Sequence, residues 1–323
     1  MTLAPSGLDV GRMRQLGVVE TPLLRLDRVA PPGRRIYAKA EWHQPTGSVK
    51  DRVAAAMVAA AERDGLLDRP TRLLEPSSGN TGIALARLAR LLGHDLTVLV
   101  PDNVSAERVT LLEAFGAKVE YTPGAEGSNG AVWRAERRAA ETGETMLHQY
   151  ENAANPLSHE TTTGPEIERR LEGLGEGPPA CFVASLGTGG TLTGVARALS
   201  RSFPDMAVVA AEPPVGESIA GLRSMADGYV PPVFDPTVLD GRTLVRTGPA
   251  ISMMRRLADE EGLFVGPSSG AAVHAAVKWA ARLPEESIVV TLLPDAGWKY
   301  LSTGLFSGSI EDAEEAVSDS TLW

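Results

Sequence analysis

Residues 72–82 read Arg72-Leu73-Leu74-Glu75-Pro76-Ser77-Ser78-Gly79-Asn80-Thr81-Gly82. A short apolar run is followed by a turn of small polar residues and then by a helical pattern that extends to Leu92, so this stretch predicts a strand, a loop and a helix. The number of polar residues in the loop exceeds what one helix cap requires. Because the N–H groups at a helix N-terminus attract anions, we expect the loop to hold a carboxylate-sized anion.

The alternation of strand and helix continues along the chain. Further strands are predicted at 95–100, 118–121, 181–185, 207–211 and 288–293, and helices at 105–115, 129–141, 250–261 and 269–282. This rhythm predicts parallel sheets covered by helices. It pauses near residues 150–165, where Asn, Pro, Thr and Gly accumulate. We therefore expect an α/β fold with two lobes that meet near residue 150.

A second loop of small residues follows the predicted strand at 181–185 and precedes a helix. Its first glycines fit a dinucleotide-binding fingerprint, but Leu192 occupies the position of the third glycine, and the lysine of a nucleotide phosphate loop is missing. A backbone nest suited to one phosphate group remains. The residues of this predicted phosphate loop are Gly187, Thr188, Gly189, Gly190 and Thr191.

Lys50 lies in the run Gln44-Pro45-Thr46-Gly47-Ser48-Val49-Lys50-Asp51-Arg52, where a loop becomes a helix and Ser48 is the predicted N-cap. An ammonium group at a helix N-terminus opposes the helix dipole. A partly buried lysine in this setting has a lowered pKa or forms a Schiff base. The alternative for this segment by itself is a solvated lysine in the first turn.

Two further segments indicate a binding site only in combination with the motifs above. Gly266-Pro267-Ser268-Ser269-Gly270 precedes a helix, and a serine cap explains it when it is taken alone. Gln149 ends a predicted strand near the expected seam, where its amide could point into a cleft.

The composition excludes several classes of function. The 323 residues carry a formal net charge of −10 with a pI near 5.1, which disfavours nucleic acid and anionic membranes as partners. Neither a long apolar run nor a signal pattern is present, so we expect a cytoplasmic protein. The single cysteine, Cys181, falls in a predicted buried strand and is expected to be structural. The five histidines are scattered, so no metal site is expected.

Together, these motifs resemble fold-type II pyridoxal-phosphate enzymes of the cysteine synthase and cystathionine β-synthase family. The resemblance extends from Thr21 to Gly304 and includes the late segment Pro294-Asp295-Ala296-Gly297. It implies an open, twisted, mostly parallel sheet with helices on both faces in each of two lobes. Residues 43–150 would form a small mobile lobe for the substrate carboxylate, and residues 1–42 with 151–323 a large lobe for the cofactor phosphate. It also implies a homodimer.

The resemblance assigns roles to individual residues. Lys50 would carry pyridoxal 5'-phosphate as an internal aldimine, Asn80 would bind the phenolic oxygen, and Ser268 would meet the pyridine nitrogen. The predicted phosphate loop, 187–191, would bind the cofactor phosphate. The implied reaction is β-replacement through an α-aminoacrylate, after Lys50 has removed the α-proton. The substrate carboxylate would be held by Ser77, Ser78, Thr81 and Gln149.

Arg223 lies in a segment that resembles actinobacterial O-phosphoserine sulfhydrylases. A guanidinium matches a phosphate dianion, which favours O-phospho-L-serine over O-acetyl-L-serine as the source of L-cysteine; a surface arginine is the alternative. The sulfur donor could be a sulfur-carrier protein thiocarboxylate. An amine nucleophile giving a 2,3-diaminopropionate-type product and a silent, cofactor-free binding protein are the other hypotheses. The tail that ends in Leu322 and Trp323 could shield the cleft, or it could be a disordered terminus with a packed tryptophan.

Overall fold

The computed structural model describes residues 7–67, 70–77 and 79–318. Ser78, Leu322 and Trp323, for which the sequence suggests roles at the cleft, lie outside these residues.

Two β-sheets form the framework. In the six-stranded sheet the order is β1-β2-β9-β6-β7-β8, and in the three-stranded sheet it is β3-β4-β5. β1 is antiparallel to β2, and the other neighbouring strands pair in parallel. The strands are β1 (Leu23–Leu26), β2 (Arg35–Ala40), β3 (Arg72–Pro76), β4 (Asp95–Pro101), β5 (Lys118–Thr122), β6 (Cys181–Ser185), β7 (Ala207–Glu212), β8 (Gly241–Leu244) and β9 (Ile288–Leu293).

Helices cover the sheets, and the α/β prediction is confirmed. None of the helices in the described part of the chain is long and apolar enough to cross a membrane. The α-helices are α1 (Val10–Gln15), α2 (Lys50–Arg63), α3 (Asn80–Leu92), α4 (Ala106–Ala114), α5 (Gly127–Thr142), α6 (Ala154–Ser158), α7 (Gly164–Gly173), α8 (Gly190–Ser202), α9 (Thr247–Glu261), α10 (Pro267–Ala280) and α11 (Ile310–Ser318).

The larger sheet is buried on both faces. Along β6, Cys181 and Val183 belong to the core cluster that includes α9 and α10, whereas Phe182 and Ala184 belong to the cluster that includes α7 and α8. Successive strand residues point to opposite faces, which explains why β6 is apolar throughout. Burial raises the pKa of the Cys181 thiol to about 12, so it is protonated at neutral pH and structural, as the sequence predicted.

The smaller sheet has a similar arrangement. Leu73 of β3 packs in one cluster with apolar residues of α2 and α3, and Leu74 packs in another with residues of α5. α2 therefore begins beside the larger sheet and packs its apolar face on the helices of the smaller one.

Near residues 150–165, where the alternation of strand and helix pauses, helices follow one another without a strand: a π-helical turn, His159–Thr163, joins α6 to α7. Two local predictions are wrong. Gln149 lies in a turn after an isolated bridge between Leu73 and Thr145, so it does not end a strand. Val49, rather than Ser48, is the N-cap of α2, although the Ser48 hydroxyl accepts a hydrogen bond from the Lys50 N–H at 3.3 Å.

Candidate active site

The loops after β3, β6 and β9 meet at one place, as expected for the carboxyl ends of parallel strands. They surround an outer cleft of about 700 Å³, a volume that includes space open to solvent, and an adjoining inner cavity, and Lys50 lines both. The predicted residues that line the outer cleft are Lys50, Ser77, Asn80, Thr81, Gln149, Gly187, Thr188 and Arg223. Those that line the inner cavity are Lys50, Asn80, Gly187, Thr188, Gly189, Thr191 and Ser268.

Lys50 is the first residue of α2, where the preceding loop is clamped to the segment after β9. The Val49 N–H donates to the Pro294 carbonyl at 2.8 Å, and the Ala296 N–H donates to the Gly47 carbonyl at 3.1 Å. Burial lowers the pKa of Lys50 to about 8, and the Asp295 carboxylate opposes this shift. A substantial fraction of this amine is therefore neutral near physiological pH, as a nucleophile or base requires.

The predicted phosphate loop requires glycine for steric reasons. A Cβ atom at Gly187 would lie 2.5 Å from the Gly221 carbonyl oxygen, and one at Gly190 would lie 2.0 Å from Asn155 Oδ1. Gly189 has a φ of +82°. Gly190 begins α8, so the loop presents backbone N–H groups at the N-terminus of a 13-residue helix. This concave nest fits one phosphate group.

His159 supports this loop from behind, and sequence analysis missed it. Its Nε2 lies 3.3 Å from the Thr191 hydroxyl, and its Nδ1 lies 2.9 Å from the Thr163 hydroxyl. Burial and the charges of Lys50 and Arg52 hold the pKa of His159 well below 6.5, so the ring is neutral at pH 7. His159 begins the π-helical turn, and such turns are frequent at functional sites. The residue spacing in the sequence did not reveal this turn, so the role of His159 was not predicted.

A polar cradle lies at the N-terminus of α3. Ser77 Oγ accepts a hydrogen bond from the Gly82 N–H at 3.0 Å, and Thr81 Oγ1 donates to Gln149 Oε1 at 2.6 Å. Because the oxygen of Gln149 is engaged by Thr81, this side chain has N–H groups to offer to an anion. The structure thus joins Thr81 and Gln149, which are 68 residues apart.

Glu75, another residue that sequence analysis missed, fixes the turn that carries Gln149. Its buried carboxylate accepts hydrogen bonds from the backbone N–H groups of His148 at 3.2 Å and Gln149 at 3.4 Å. His148 has a φ of +55°, an uncommon conformation for a residue other than glycine. Glu75 could have been recognised in the sequence as a charged residue at the end of a buried strand, just before the anion-binding loop.

Asn80 is held from two sides beside the inner cavity. Its Nδ2 donates to Asp295 Oδ2 at 2.7 Å, and its Oδ1 accepts a hydrogen bond from Lys299 Nζ at 2.6 Å. The Tyr300 hydroxyl donates to the same Asp295 oxygen at 2.7 Å. Ser268, the second residue of α10, is buried and lines this cavity as well.

The outer cleft is strongly cationic. Lys50, Arg108 and Arg223 line it, and none of its described lining residues is an aspartate or a glutamate. The Arg223 guanidinium lies over the rings of Tyr150 and Tyr229, at 5.0 and 5.5 Å from their centroids. Arg108, on α4, is buried over the Tyr300 ring at 5.3 Å. Sequence analysis missed Arg108, which resembles any arginine of an amphipathic helix.

Residues 14–295 match the family model described as pyridoxal-phosphate dependent enzyme. The chain belongs to this family. It is 42% identical over 297 residues to a probable cysteine synthase of Bacillus subtilis (strain 168), an alignment that covers 89% of this chain and 95% of that protein. It is 40% identical over 295 residues to a cysteine synthase of Staphylococcus aureus (strain N315), covering 89% and 94%.

Solved structures of this family have the same fold. The chain superposes on O-ureido-L-serine synthase with a TM-score of 0.84 at 38% identity, covering 93% of this chain and 97% of that one. It superposes on a hydrogen sulfide-producing enzyme with a TM-score of 0.85 at 31% identity, covering 93% of each chain. The protein is thus a pyridoxal-phosphate-dependent enzyme of the cysteine synthase type.

The geometry of the inner cavity agrees with this cofactor. Lys50 with its lowered pKa, two glycines at which a Cβ atom would clash (Gly187 and Gly189) and the buried Ser268 line a single cavity. Within the described residues, no group of three His, Cys, Asp or Glu side chains is placed to hold a metal ion.

Proposed function

We propose that this enzyme makes L-cysteine from O-phospho-L-serine and a sulfur donor by β-replacement. The observation that carries the choice of substrate is the position of Arg223 in the same cleft as Arg108, with no described carboxylate lining that cleft. A substrate with a carboxylate and a phosphate dianion complements these cations. O-acetyl-L-serine has a neutral β-substituent and gains nothing from a second guanidinium.

The residues of the inner cavity would hold the cofactor. Lys50 would bind it covalently, the loop 187–191 would bind its phosphate, Asn80 its phenolic oxygen and Ser268 its ring nitrogen. When bound, pyridoxal phosphate withdraws electrons from the Cα–H bond of the amino acid and so acidifies it. Ser268 is a neutral hydroxyl and cannot hold the ring nitrogen protonated as a carboxylate would, which favours elimination of a β-substituent.

The chain's own groups would carry out the proton transfer and the binding of the substrate. With its pKa near 8, the Lys50 amine is matched to proton abstraction and return near neutral pH. Ser77, Thr81 and Gln149, together with Ser78, would hold the substrate carboxylate. Arg223 would bind the phosphate before it leaves and stabilise its charge as the Cβ–O bond breaks.

The two lobes would close around this substrate. The carboxylate cradle and Arg108 lie on α3, α4 and the loops of the smaller sheet, whereas Arg223 and the phosphate loop lie on the larger sheet. Residues 43–150 would form the mobile lobe, and 1–42 with 151–323 the fixed one. A doubly anionic substrate bridges both lobes and so favours the closed, water-excluding state.

Steady-state kinetics of the Arg223→Ala holoenzyme test this proposal, with sulfide as the nucleophile. We expect kcat/KM for O-phosphoserine to fall about 10- to 100-fold, the loss of a charge-assisted hydrogen bond of about 1.5–3 kcal/mol, while kcat/KM for O-acetylserine falls less than about threefold. The exposed Arg282→Ala serves as the control and should change neither value. Equal losses for both substrates would reject the role of Arg223.

The sulfur donor is tested separately from the leaving group. The relatives named cysteine synthases support sulfur as the nucleophile. Sulfide, a sulfur-carrier protein thiocarboxylate and a series of amines are offered to the same holoenzyme with O-phosphoserine. We expect sulfur nucleophiles to give the faster turnover; faster turnover with an amine would replace cysteine by a 2,3-diaminopropionate-type product.

A further inference from the structure

Asn80 has a neutral side chain whose amide lies between two buried charges of opposite sign. Lys299 Nζ donates to its oxygen at 2.6 Å, and its nitrogen donates to Asp295 Oδ2 at 2.7 Å. Lys299 and Asp295 are each 1% exposed. The reversed amide would place its NH₂ group against the ammonium and its oxygen against the carboxylate. Both reversed contacts are repulsive, so the charges select one orientation.

This orientation determines what Asn80 offers to the inner cavity. One of its two amide hydrogens is used on Asp295, and the side chain itself lines the cavity beside Lys50. The second N–H is therefore the donor that Asn80 can present there, while its oxygen faces away toward Lys299. A phenolic oxygen of a bound cofactor requires a donor of this kind.

Lys299 carries its ammonium group in a buried position. Its ammonium lies 5.3 Å from the ring centroid of Trp298, with the carboxylates of Asp51 and Asp295 near enough to favour its charge. Burial nevertheless lowers its pKa to about 8, so placing an ammonium here costs free energy. An apolar side chain would fill the same space without this cost, but it would not hold the Asn80 oxygen.

We propose that Lys299 is a positioning residue that, together with Asp295, locks the Asn80 amide so that its N–H faces the cofactor. Lys299 does not itself line either cavity, so it acts through Asn80. The inference rests on the proposed contact between Asn80 and the cofactor. It is independent of the choice of substrate, because it concerns the protein before any amino acid binds.

The test is a titration of the cofactor-free protein with pyridoxal phosphate, read as a dissociation constant and as the visible absorption maximum of the bound cofactor. We expect Lys299→Met to weaken binding about tenfold or more and to shift the maximum in the same direction as Asn80→Ala does. Lys299→Arg keeps a cationic donor and should remain within about threefold of the unmodified protein. Lys278→Met, the same substitution at an exposed lysine near the end of α10, is the matched control and should leave both readouts unchanged.

A double-variant cycle separates positioning from a general structural role. If Lys299 acts through Asn80, the protein with both Asn80→Ala and Lys299→Met binds the cofactor no more weakly than Asn80→Ala alone. Losses that multiply in the double variant, or an unchanged affinity and spectrum in Lys299→Met, would overturn the inference. Lys299→Gln, which has a shorter and uncharged side chain, provides the second variant if Lys299→Met does not fold; its effect should likewise vanish in the Asn80→Ala background.

Asn80→Ala alone separates a failure of the assumed contact between Asn80 and the cofactor from a failure of the positioning role of Lys299. If it binds pyridoxal phosphate with unchanged affinity and spectrum, both the assumed contact and the inference built on it are wrong. If it weakens binding while Lys299→Met and Lys299→Gln do not, the contact stands and the positioning role is overturned.

Discussion

Arg52 and Glu166 are joined by two buried hydrogen bonds, from Nη1 to Oε1 at 2.8 Å and from Nη2 to Oε2 at 2.7 Å. Arg52 also donates to both oxygens of Glu41, at 2.7 and 3.0 Å. Lys39 completes the network through a 2.7 Å ion pair with Glu166. Because Arg52 lies two residues after Lys50, these contacts connect the first turn of α2 to α7 and to Glu41, the residue directly after β2, and so hold the backbone of Lys50 in place.

Removal of one charge from this network should destabilise the whole fold. We expect Arg52→Met to lower the free energy of unfolding by about 3–5 kcal/mol, because it leaves buried carboxylates without their partner. Urea unfolding of the cofactor-free protein measures this loss. Arg256→Met, which breaks an exposed pair with Glu260, is the control and should cost no more than about 1 kcal/mol. Similar losses of unfolding free energy in the two variants would show that the buried network stabilises the fold no more than an exposed ion pair does.

A methyl group at Gly190 should damage the phosphate loop. Its Cβ would lie 2.0 Å from Asn155 Oδ1, so the side chain of Asn155 or the loop must move. We expect Gly190→Ala to weaken the binding of pyridoxal phosphate at least tenfold and to destabilise the protein by about 1–3 kcal/mol. Fluorescence titration and thermal unfolding measure the two effects.

The structure supplies both a control and a rescue for this experiment. A Cβ at Gly177 meets no atom within 4 Å, so Gly177→Ala should behave as the unmodified protein. Asn155→Ala added to Gly190→Ala removes the clash but also the hydrogen bonds from Asn155 Nδ2 to Thr188 Oγ1 and to the Gln149 carbonyl, so it should recover only part of the lost affinity. The steric explanation fails if Gly190→Ala binds the cofactor normally.

The lowered pKa of Lys50 predicts how its reactivity depends on pH. Below about pH 8 its amine is protonated, and above it the neutral, nucleophilic form dominates. The rate at which the cofactor-free protein takes up pyridoxal phosphate should therefore rise through pH 8, more than two units below the ordinary value for lysine. Stopped-flow absorbance at a series of pH values measures this rate, with Lys50→Ala as the background. A rate that keeps rising to pH 10 would contradict the burial of this amine.

Lys299 provides an internal check on that titration, because burial lowers its pKa to about 8 as well. The covalent step belongs to Lys50, so Lys299→Arg should leave the midpoint near pH 8. A midpoint that moves in Lys299→Arg would assign the observed titration to Lys299.

The sequence allowed much of the fold to be predicted, because strand–loop–helix junctions carry local signals. β3, β4, β5, β6, β7 and β9 were predicted in place. β1, β2 and β8 were missed, although β2 lies between β1 and β9 inside the larger sheet. Its sequence, Arg-Ile-Tyr-Ala-Lys-Ala, includes Lys39, whose burial depends on Glu166, 127 residues away. A local pattern cannot show that such a partner exists.

The same limit explains which site residues were found. Lys50 and the loop 187–191 were recognised because each occupies a loop–helix junction with unusual residues. Lys299 and Arg108 were not, since an isolated lysine or arginine usually marks a solvated surface. The role inferred for Lys299 depends on Asn80, 219 residues earlier in the chain, and only the folded structure brings the two together.

The most direct test of the proposed function uses the unmodified holoenzyme and two competing substrates. Equimolar O-phosphoserine and O-acetylserine are mixed with sulfide, and the initial rates of phosphate and acetate release are measured together. Their ratio equals the ratio of the two kcat/KM values. The cationic cleft around Arg223 predicts at least a tenfold excess of phosphate. Equal release, or an excess of acetate, would contradict the assignment of O-phosphoserine as the substrate.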